Sequence, residues 1–271
     1  MVLHYIFLAI SIILSVIVFI ISGLYTTWYW YFIPVLGVLV IYIAIFLLFV
    51  LYLVITSLFL SIKKEIKKPQ KYYYYIVTSF LYIAFKLLRI KIVTNNLDTI
   101  PDKRCLIISN HQSSFDPMLL LLKTKNKPLI CVTKPENLKI PVAGPYLHKA
   151  GFIAINRENN FEAAKAIAKA TNFIKNDYSS IYICPEGTRN KNGGLLPFHA
   201  GSYKIAYKSE CPIVITSVNY TKDIFKKFIF AKKIVTLNVL KVLEYEEYKN
   251  LNTQEIADYS RNLILEDLKE E

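Results

Sequence analysis

Residues 1–62 contain no aspartate, glutamate, lysine or arginine, so every formal charge of this 271-residue chain falls in residues 63–271. A water-soluble domain does not leave its first 62 residues uncharged, and this stretch reads as membrane-embedded. The remainder is about one-quarter charged, as in an ordinary globular domain, and is long enough to bury a core. Cysteine is also scarce. Cys105, Cys131, Cys184 and Cys211 are widely spaced, with no Cys-x-x-Cys pair and no histidine at zinc-ligand spacing, which argues against a zinc site. Each lies in or beside an apolar run and reads as a small buried hydrophobe. A disulfide framework is not expected, which favours a reducing compartment. There is no internal repeat and no low-complexity linker.

What is present divides into three parts: residues 1–62 as two transmembrane helices, 63–90 as a basic flank with an interfacial helix, and 91–271 as a globular domain. Apolar residues make up 54% of the chain, which excludes a disordered or collagen-like protein. Val2 to Ile21 is an uncharged run that matches the hydrocarbon thickness as a helix, with no basic leader or small-residue cleavage site. A second run extends from Ile33 to Ile62. The connector, residues 23–31, holds both tryptophans, Trp28 and Trp30, at the expected depth of a membrane–water boundary. Lys63, Lys64, Lys67, Lys68 and Lys71 follow at once and predict a cytoplasmic flank, attracting anionic headgroups by about 1 kcal/mol each. Tyr72 to Ile90 is expected to lie on that cytoplasmic face as an amphipathic helix, because a third span would separate the lysines from the globular domain. The hairpin itself is expected to be a plain anchor.

From Lys91 onward, short apolar runs alternate with helical patterns. Cys105–Ser109, Leu129–Thr133, Ile181–Cys184, Ile213–Val218 and Ile234–Val242 predict buried strands. Helices are predicted over Pro117–Leu122 and Phe161–Lys175, the latter with an apolar stripe of Phe161, Ala164, Ile167, Ala168, Thr171 and Ile174. Asn252 and Glu255 form a capping-box pattern opening a last helix to about Leu268. The alternation implies an α/β fold, a mixed sheet covered by helices. The net charge of +13 does not indicate nucleic-acid binding, since the basic residues are dispersed and the aromatics concentrate in membrane-like segments.

Three short stretches at strand ends carry reactive side chains. The first is Asn110-His111-Gln112-Ser113-Ser114-Phe115-Asp116-Pro117. On one continuous helix, positions five apart point about 140° away from each other, so His111 and Asp116 meet only if a turn precedes the helix. Asp116-Pro117 suits such a start, with Asp at the N-cap and Pro at the first helical position. Asp116 then either caps a helix beside an ordinary loop histidine or orients His111. The second is Pro185-Glu186-Gly187-Thr188-Arg189, where Gly187 permits close backbone approach, Thr188 offers a hydroxyl and Arg189 a planar fork for phosphate. Taken alone it is equally a surface turn. The third, Gly151 to Arg157, is a strand-like stretch ending in an arginine that is by itself a solvated charge.

In this order the stretches resemble the four blocks of the 1-acylglycerol-3-phosphate (lysophosphatidate) acyltransferases and the wider glycerolipid acyltransferases. Asn-His-Gln-Ser-Ser-Phe-Asp is similar to the first block, Gly-Phe-Ile-Ala-Ile-Asn-Arg to the second and Pro-Glu-Gly-Thr-Arg to the third. Pro212-Ile213-Val214 opens the fourth, and Lys134 to Gly144 resembles the linking text. The resemblance runs from about Tyr72 to Leu268. Two departures stand out. Phe198-His199-Ala200-Gly201 replaces a Phe-Lys-x-Gly pattern, and Thr216 stands near the place of a second proline. They imply altered acyl or headgroup preference.

The resemblance implies transfer of an acyl group from an acyl carrier protein or coenzyme A thioester to the free hydroxyl of a membrane lysophospholipid, giving phosphatidate. An alcohol at neutral pH needs a base, a role that falls to His111, with Asp116 holding the ring and stabilising its imidazolium. Arg157 and Arg189 would clamp the phosphate, Glu186 would hydrogen-bond the glycerol, and Gly187 and Thr188 would line the substrate. The absence of Gly-x-Ser-x-Gly fits a reaction without an acyl-enzyme. No metal or nucleotide cofactor is expected. The implied location is a bacterial plasma membrane, with the catalytic domain on the cytoplasmic face. Rival readings are the same chemistry on glycerol-3-phosphate, another lysophospholipid or a glycolipid, or a non-catalytic lipid binder.

Overall fold

The computed structural model describes residues 2–26, 30–124, 128–189, 194–224 and 231–270. Its first two elements follow from the absence of charge. Helices α1 (Val2–Ile21) and α2 (Phe32–Phe59) form an antiparallel hairpin, and both are long and apolar enough to cross a membrane. With no salt bridge available, small residues set the crossing. Gly37 of α2 leaves room for Ser15 of α1, whose Oγ donates to the Pro34 carbonyl at 2.7 Å. Trp28 lies outside the described residues.

Helix α3 (Lys71–Leu87) occupies the segment expected at the interface. It does not stand apart. Ile76, Ile83 and Phe85 are buried, and the helix packs on α4 (Asp116–Lys123) and α5 (Ala143–Ala150), while Tyr72, Tyr75 and Phe80 are exposed. The lysine-rich linker before it is tied down as well. The His148 ring donates to the Lys64 carbonyl at 2.9 Å, and the Gln70 amide to the Lys149 carbonyl at 3.3 Å.

Seven strands form one sheet: β1 (Ile90–Asn95), β2 (Leu106–Ser109), β3 (Leu129–Thr133), β4 (Ile153–Ala154), β5 (Ser180–Ile183), β6 (Ile213–Asn219) and β7 (Lys233–Leu243). The spatial order is β1-β7-β6-β2-β5-β3-β4, with β6–β7 antiparallel and the other pairs parallel. The central strands β2, β5 and β6 are buried along their whole length, which explains their uninterrupted apolar runs. Helices α6 (Asn160–Lys175), α7 (Lys204–Ser209) and α9 (Thr253–Glu270) cover the sheet together, with the short α8 (Tyr245–Tyr248) between β7 and α9.

Two local readings need correction. The buried face of α6 is Ala166, Ala170, Thr171, Phe173 and Ile174, so Thr171 and Ile174 of the expected stripe are buried, whereas Phe161 is 75% exposed. The small alanines let the helix approach the sheet, and the large buried side chain is Phe173, so the stripe is rotated from the one read off the sequence. Asp116 is the first residue of α4 and not its N-cap, which is Phe115; the Asp116 carboxylate turns back into the preceding loop. The capping box at α9 is present, with the Glu255 carboxylate accepting from the Asn252 amide and Asn252 Oδ1 accepting from the Glu255 amide. All four cysteines are free thiols; Cys105, Cys131 and Cys211 are buried, but Cys184 is partly exposed.

Candidate active site

The C-terminal ends of β2 and β5 lie side by side, with Ile108 opposite Ile183, so the loops that follow them converge. Asn110 continues β2 by a two-way link to β6, donating to the Val218 carbonyl and accepting from the Val218 amide, both at 2.8 Å. This pins the chain just before His111. The turn that follows brings the ring Nδ1 to 2.9 Å from Asp116 Oδ2. Asp116 is fully buried and its carboxylate also accepts from the Ser113 amide at 2.8 Å and the Thr221 hydroxyl at 2.5 Å. So constrained, the carboxylate holds the ring through Nδ1, and the other ring nitrogen can act as a base only in the neutral form of the ring. Burial depresses the proton affinity of the ring. The Cys184 sulfur and the hydrogen-bonded Asp116 more than reverse this, and the His111 pKa is raised to about 10.

Glu186, expected to hydrogen-bond the glycerol, faces inward instead. It is buried, with Oε1 accepting from the His111 amide at 2.6 Å and Oε2 from the Leu196 amide at 2.9 Å, and it does not line the cavity. Burial raises its pKa against these two N–H donors. Its geometry is that of a brace between the loops of the first and third blocks.

Arg157 reaches across from the end of β4 and donates from Nη2 to the Cys184 carbonyl at 3.1 Å. Its Nη1 is buried with no hydrogen-bond partner among the described residues, and burial lowers the arginine's pKa. The guanidinium lies on Gly187, where φ is +73° and a Cβ would stand 1.3 Å from Nη1. Glycine is therefore required there both for the backbone conformation and for the arginine. Thr188 and Arg189 follow on the exposed side of the same loop. Of the two departures, Thr216 is accommodated inside β6 by donating to the Ile108 carbonyl at 2.7 Å. Burial and then Arg157 lower the pKa of His199.

Part of this set opens onto one cavity of about 1870 Å³. Its polar end carries His111, Arg157, Gly187, Thr188 and Arg189, and its walls elsewhere include Val50, Leu53 and Val54 of α2 with Ile76, Val77 and Phe80 of α3. The hairpin is thus more than an anchor. Leu53 is buried against Ile76 and Tyr146, and Thr56 of α2 hydrogen-bonds the Tyr146 hydroxyl of α5. Just before α5, Val142 also lines the cavity at φ +63°, a conformation that costs a β-branched residue about 1–3 kcal/mol. Sequence reasoning gave Asn110 no role of its own and did not single out Thr221 or Tyr182. Thr221 has no local signal, since its partner lies 105 residues earlier.

Comparison with known proteins finds relatives in both sequence and fold. Residues 91–219 match the family model described as Acyltransferase. The chain is 33% identical over 174 residues to the 1-acyl-sn-glycerol-3-phosphate acyltransferase of Borreliella burgdorferi, covering 61% of this chain and 69% of that protein. It is 30% identical over 163 residues to the protein of the same name from Salmonella typhimurium, covering 60% of this chain and 66% of the relative's length. The crystal structure of PlsC, the 1-acyl-sn-glycerophosphate (LPA) acyltransferase of Thermotoga maritima, superposes with a TM-score of 0.60 at 25% identity, covering 74% of this chain and 80% of that one. With the ordered blocks, the shared fold and these relatives, the chain belongs to the 1-acyl-sn-glycerol-3-phosphate acyltransferase family.

Proposed function

We propose that the protein is a membrane-bound O-acyltransferase that moves a fatty acyl group from an acyl thioester to the free hydroxyl of 1-acyl-sn-glycerol-3-phosphate, producing phosphatidate. The observation that carries this is the His111–Asp116 pair at the polar end of a cavity whose remaining walls are largely apolar, which suits a lipid with a charged head. His111 takes the proton of the acceptor hydroxyl as the oxygen attacks the thioester carbonyl, and Asp116 stabilises the imidazolium. Collapse of the tetrahedral intermediate expels the donor thiolate, which recovers the proton from His111. Arg157 and Arg189 hold the acceptor phosphate, with Gly187 and Thr188 lining it. Glu186 acts through the loops that it braces. No metal or nucleotide cofactor enters this scheme; the co-substrate is an acyl carrier protein or coenzyme A thioester.

The paired apolar helices support membrane association, and the lysines at 63–71 support a cytoplasmic catalytic domain at a bacterial plasma membrane. The test is acyl transfer by detergent-solubilised protein, with both donor types and several acceptors offered in parallel. Wild type should form phosphatidate and His111→Ala should not. Turnover of glycerol-3-phosphate or another lysolipid alone would change the acceptor. Equal turnover by His111→Ala would remove His111 as the base, and a folded wild type inactive on every pair would indicate a lipid binder.

A further inference from the structure

The parallel ladder between β2 and β6 ends where Ser109 lies opposite Thr216, yet the two chains stay linked beyond it. Val218 exchanges two hydrogen bonds with Asn110 at 2.8 Å, and Asn219 Oδ1 accepts from Gln112 Nε2 at 3.3 Å. The last link is the Thr221 hydroxyl, which donates to Asp116 Oδ1 at 2.5 Å. Thr221 reaches the carboxylate because the chain turns at Tyr220, whose φ is +64°. Left-handed backbone is sparsely populated by a residue of this size, and a tyrosine 44% exposed gains little packing in return. A single 3-10 turn over Thr221–Asp223 follows at once, closed by the Asp223 amide on the Tyr220 carbonyl at 3.2 Å. What this strained turn delivers is a buried threonine aimed at Asp116.

The two carboxylate oxygens are held from different sides. Oδ2 takes the His111 ring at 2.9 Å and the Ser113 amide at 2.8 Å, both from the first block. Oδ1 takes the Thr221 hydroxyl at 2.5 Å and the Ser113 hydroxyl at 3.4 Å. An ionised carboxylate only accepts, so the threonine proton points at Asp116. One short bond on each oxygen stops rotation of the carboxylate about its own axis. With Thr221 gone, Oδ1 keeps only the long serine contact, and a fully buried oxygen has no bulk water to replace the lost donor. The plane that aims Oδ2 at His111 is then fixed from one side alone.

We infer that Thr221 is a positioning residue for the His111–Asp116 pair, its hydroxyl locking the carboxylate in the plane that aligns the ring. The catalytic side of this inference rests on the role proposed for His111. Thr221 touches neither substrate nor the reacting atoms in this scheme; it acts through Asp116. The same link gives the left-handed Tyr220 a reason, since the turn that it starts carries the hydroxyl to a partner 105 residues away in the chain.

The experiment uses full-length, detergent-solubilised protein and two readouts: kcat and KM for both substrates, and the NMR signal of the proton between His111 Nδ1 and Asp116. Absence of the signal in His111→Gln assigns it. Thr221→Val keeps the side-chain shape and removes the donor. It should lower kcat by about 10–100-fold, the range of one charged hydrogen bond, and leave KM for both substrates within about threefold. The Nδ1 proton should shift and exchange faster with water. Thr221→Ser, which retains the donor, should return kcat to within about threefold of wild type and restore the signal. In an Asp116→Ala background Thr221→Val should change kcat by less than about twofold, because the group that it serves is gone. Should the valine variant fail to fold by thermal unfolding, Thr221→Ala takes its place with the same expectations. An unchanged kcat or an unmoved Nδ1 proton in that variant overturns the inference. So does a serine variant no better than valine, or an undiminished loss in the Asp116→Ala background. The NMR readout needs no turnover, so a signal that moves in protein without acyl transfer would overturn the proposed function and keep the positioning of the pair.

Discussion

Replacing Gly187 by alanine tests the claim that this glycine exists to seat Arg157. The new Cβ would stand 1.3 Å from Nη1, 2.5 Å from Cζ and 3.3 Å from Nε, on a backbone at φ +73°. The left-handed conformation costs about 1–2 kcal/mol for any residue with a Cβ. The guanidinium must also retreat by about 2 Å to reach ordinary contact. It then loses its bond to the Cys184 carbonyl, a charged hydrogen bond of about 1.5–3 kcal/mol. Together these amount to about 2.5–5 kcal/mol at a single loop. If Arg157 holds the acceptor phosphate, kcat/KM for the lysolipid should fall by about 10²–10³-fold while KM for the thioester changes little. The decisive assay is a double-mutant cycle with Arg157→Ala, read by both kcat/KM and thermal unfolding. With no guanidinium to displace, Gly187→Ala should cost only the backbone strain in that background. Equal costs in the two backgrounds would falsify the seating argument.

Asp116→Asn leaves one acceptor oxygen where the carboxylate now serves His111, Ser113 and Thr221; kcat should fall by about 10³–10⁴-fold, with the His111 titration moving down toward 6.5. Because the folded pKa of His111 is raised, native protein binds the proton more tightly than the unfolded chain, so this contribution to stability is complete below about 6.5 and is lost as pH rises toward 10. The melting temperature of wild type relative to His111→Ala should therefore decline over that window, and a rising difference would contradict the assignment. Glu186→Gln removes one of two acceptors from the brace; a lower kcat with unchanged acceptor KM is expected, whereas a selective rise in acceptor KM would return Glu186 to the glycerol. Thr56→Val leaves the Tyr146 hydroxyl without its α2 partner and should hasten tryptic cleavage at Lys63–Lys68, measured against the unchanged unfolding of the sheet domain.

The readable parts of this chain are those whose physics is local. Strands β2, β5 and β6 are buried along their whole length and leave continuous apolar text, whereas β1 lies at the sheet edge, mixes Lys91, Thr94 and Asn95 into its six residues, and has no such signature. Helix α5 was missed because Gly144 and Pro145 fall in its first turn. Gly144 is there because a Cβ would stand 2.2 Å from the Leu138 carbonyl, a contact that periodicity cannot reveal. His111 and Asp116 were legible because a short turn brings them together. The inward turn of Glu186 was not, since its bond to His111 spans 75 residues and depends on β2 and β5 being neighbours.

The same distinction explains how the hairpin was misjudged. An uncharged helix facing lipid and one facing a lipid-binding cavity obey the same rule, that no polar group be left without a partner, so their sequences look alike. Position separates them. Val50, Leu53 and Val54 fall on the part of α2 that meets α3 and α5, and the hydroxyls there, Tyr52 with Tyr72 and Thr56 with Tyr146, are paired between elements. A lysolipid presents a similar division, an anionic head that demands donors and a chain that demands none. The cavity meets both demands by joining loops at the ends of β2, β4 and β5 to apolar faces of α2 and α3. The polar end is built by the sheet and part of the apolar wall by the hairpin, so neither segment alone encloses the substrate.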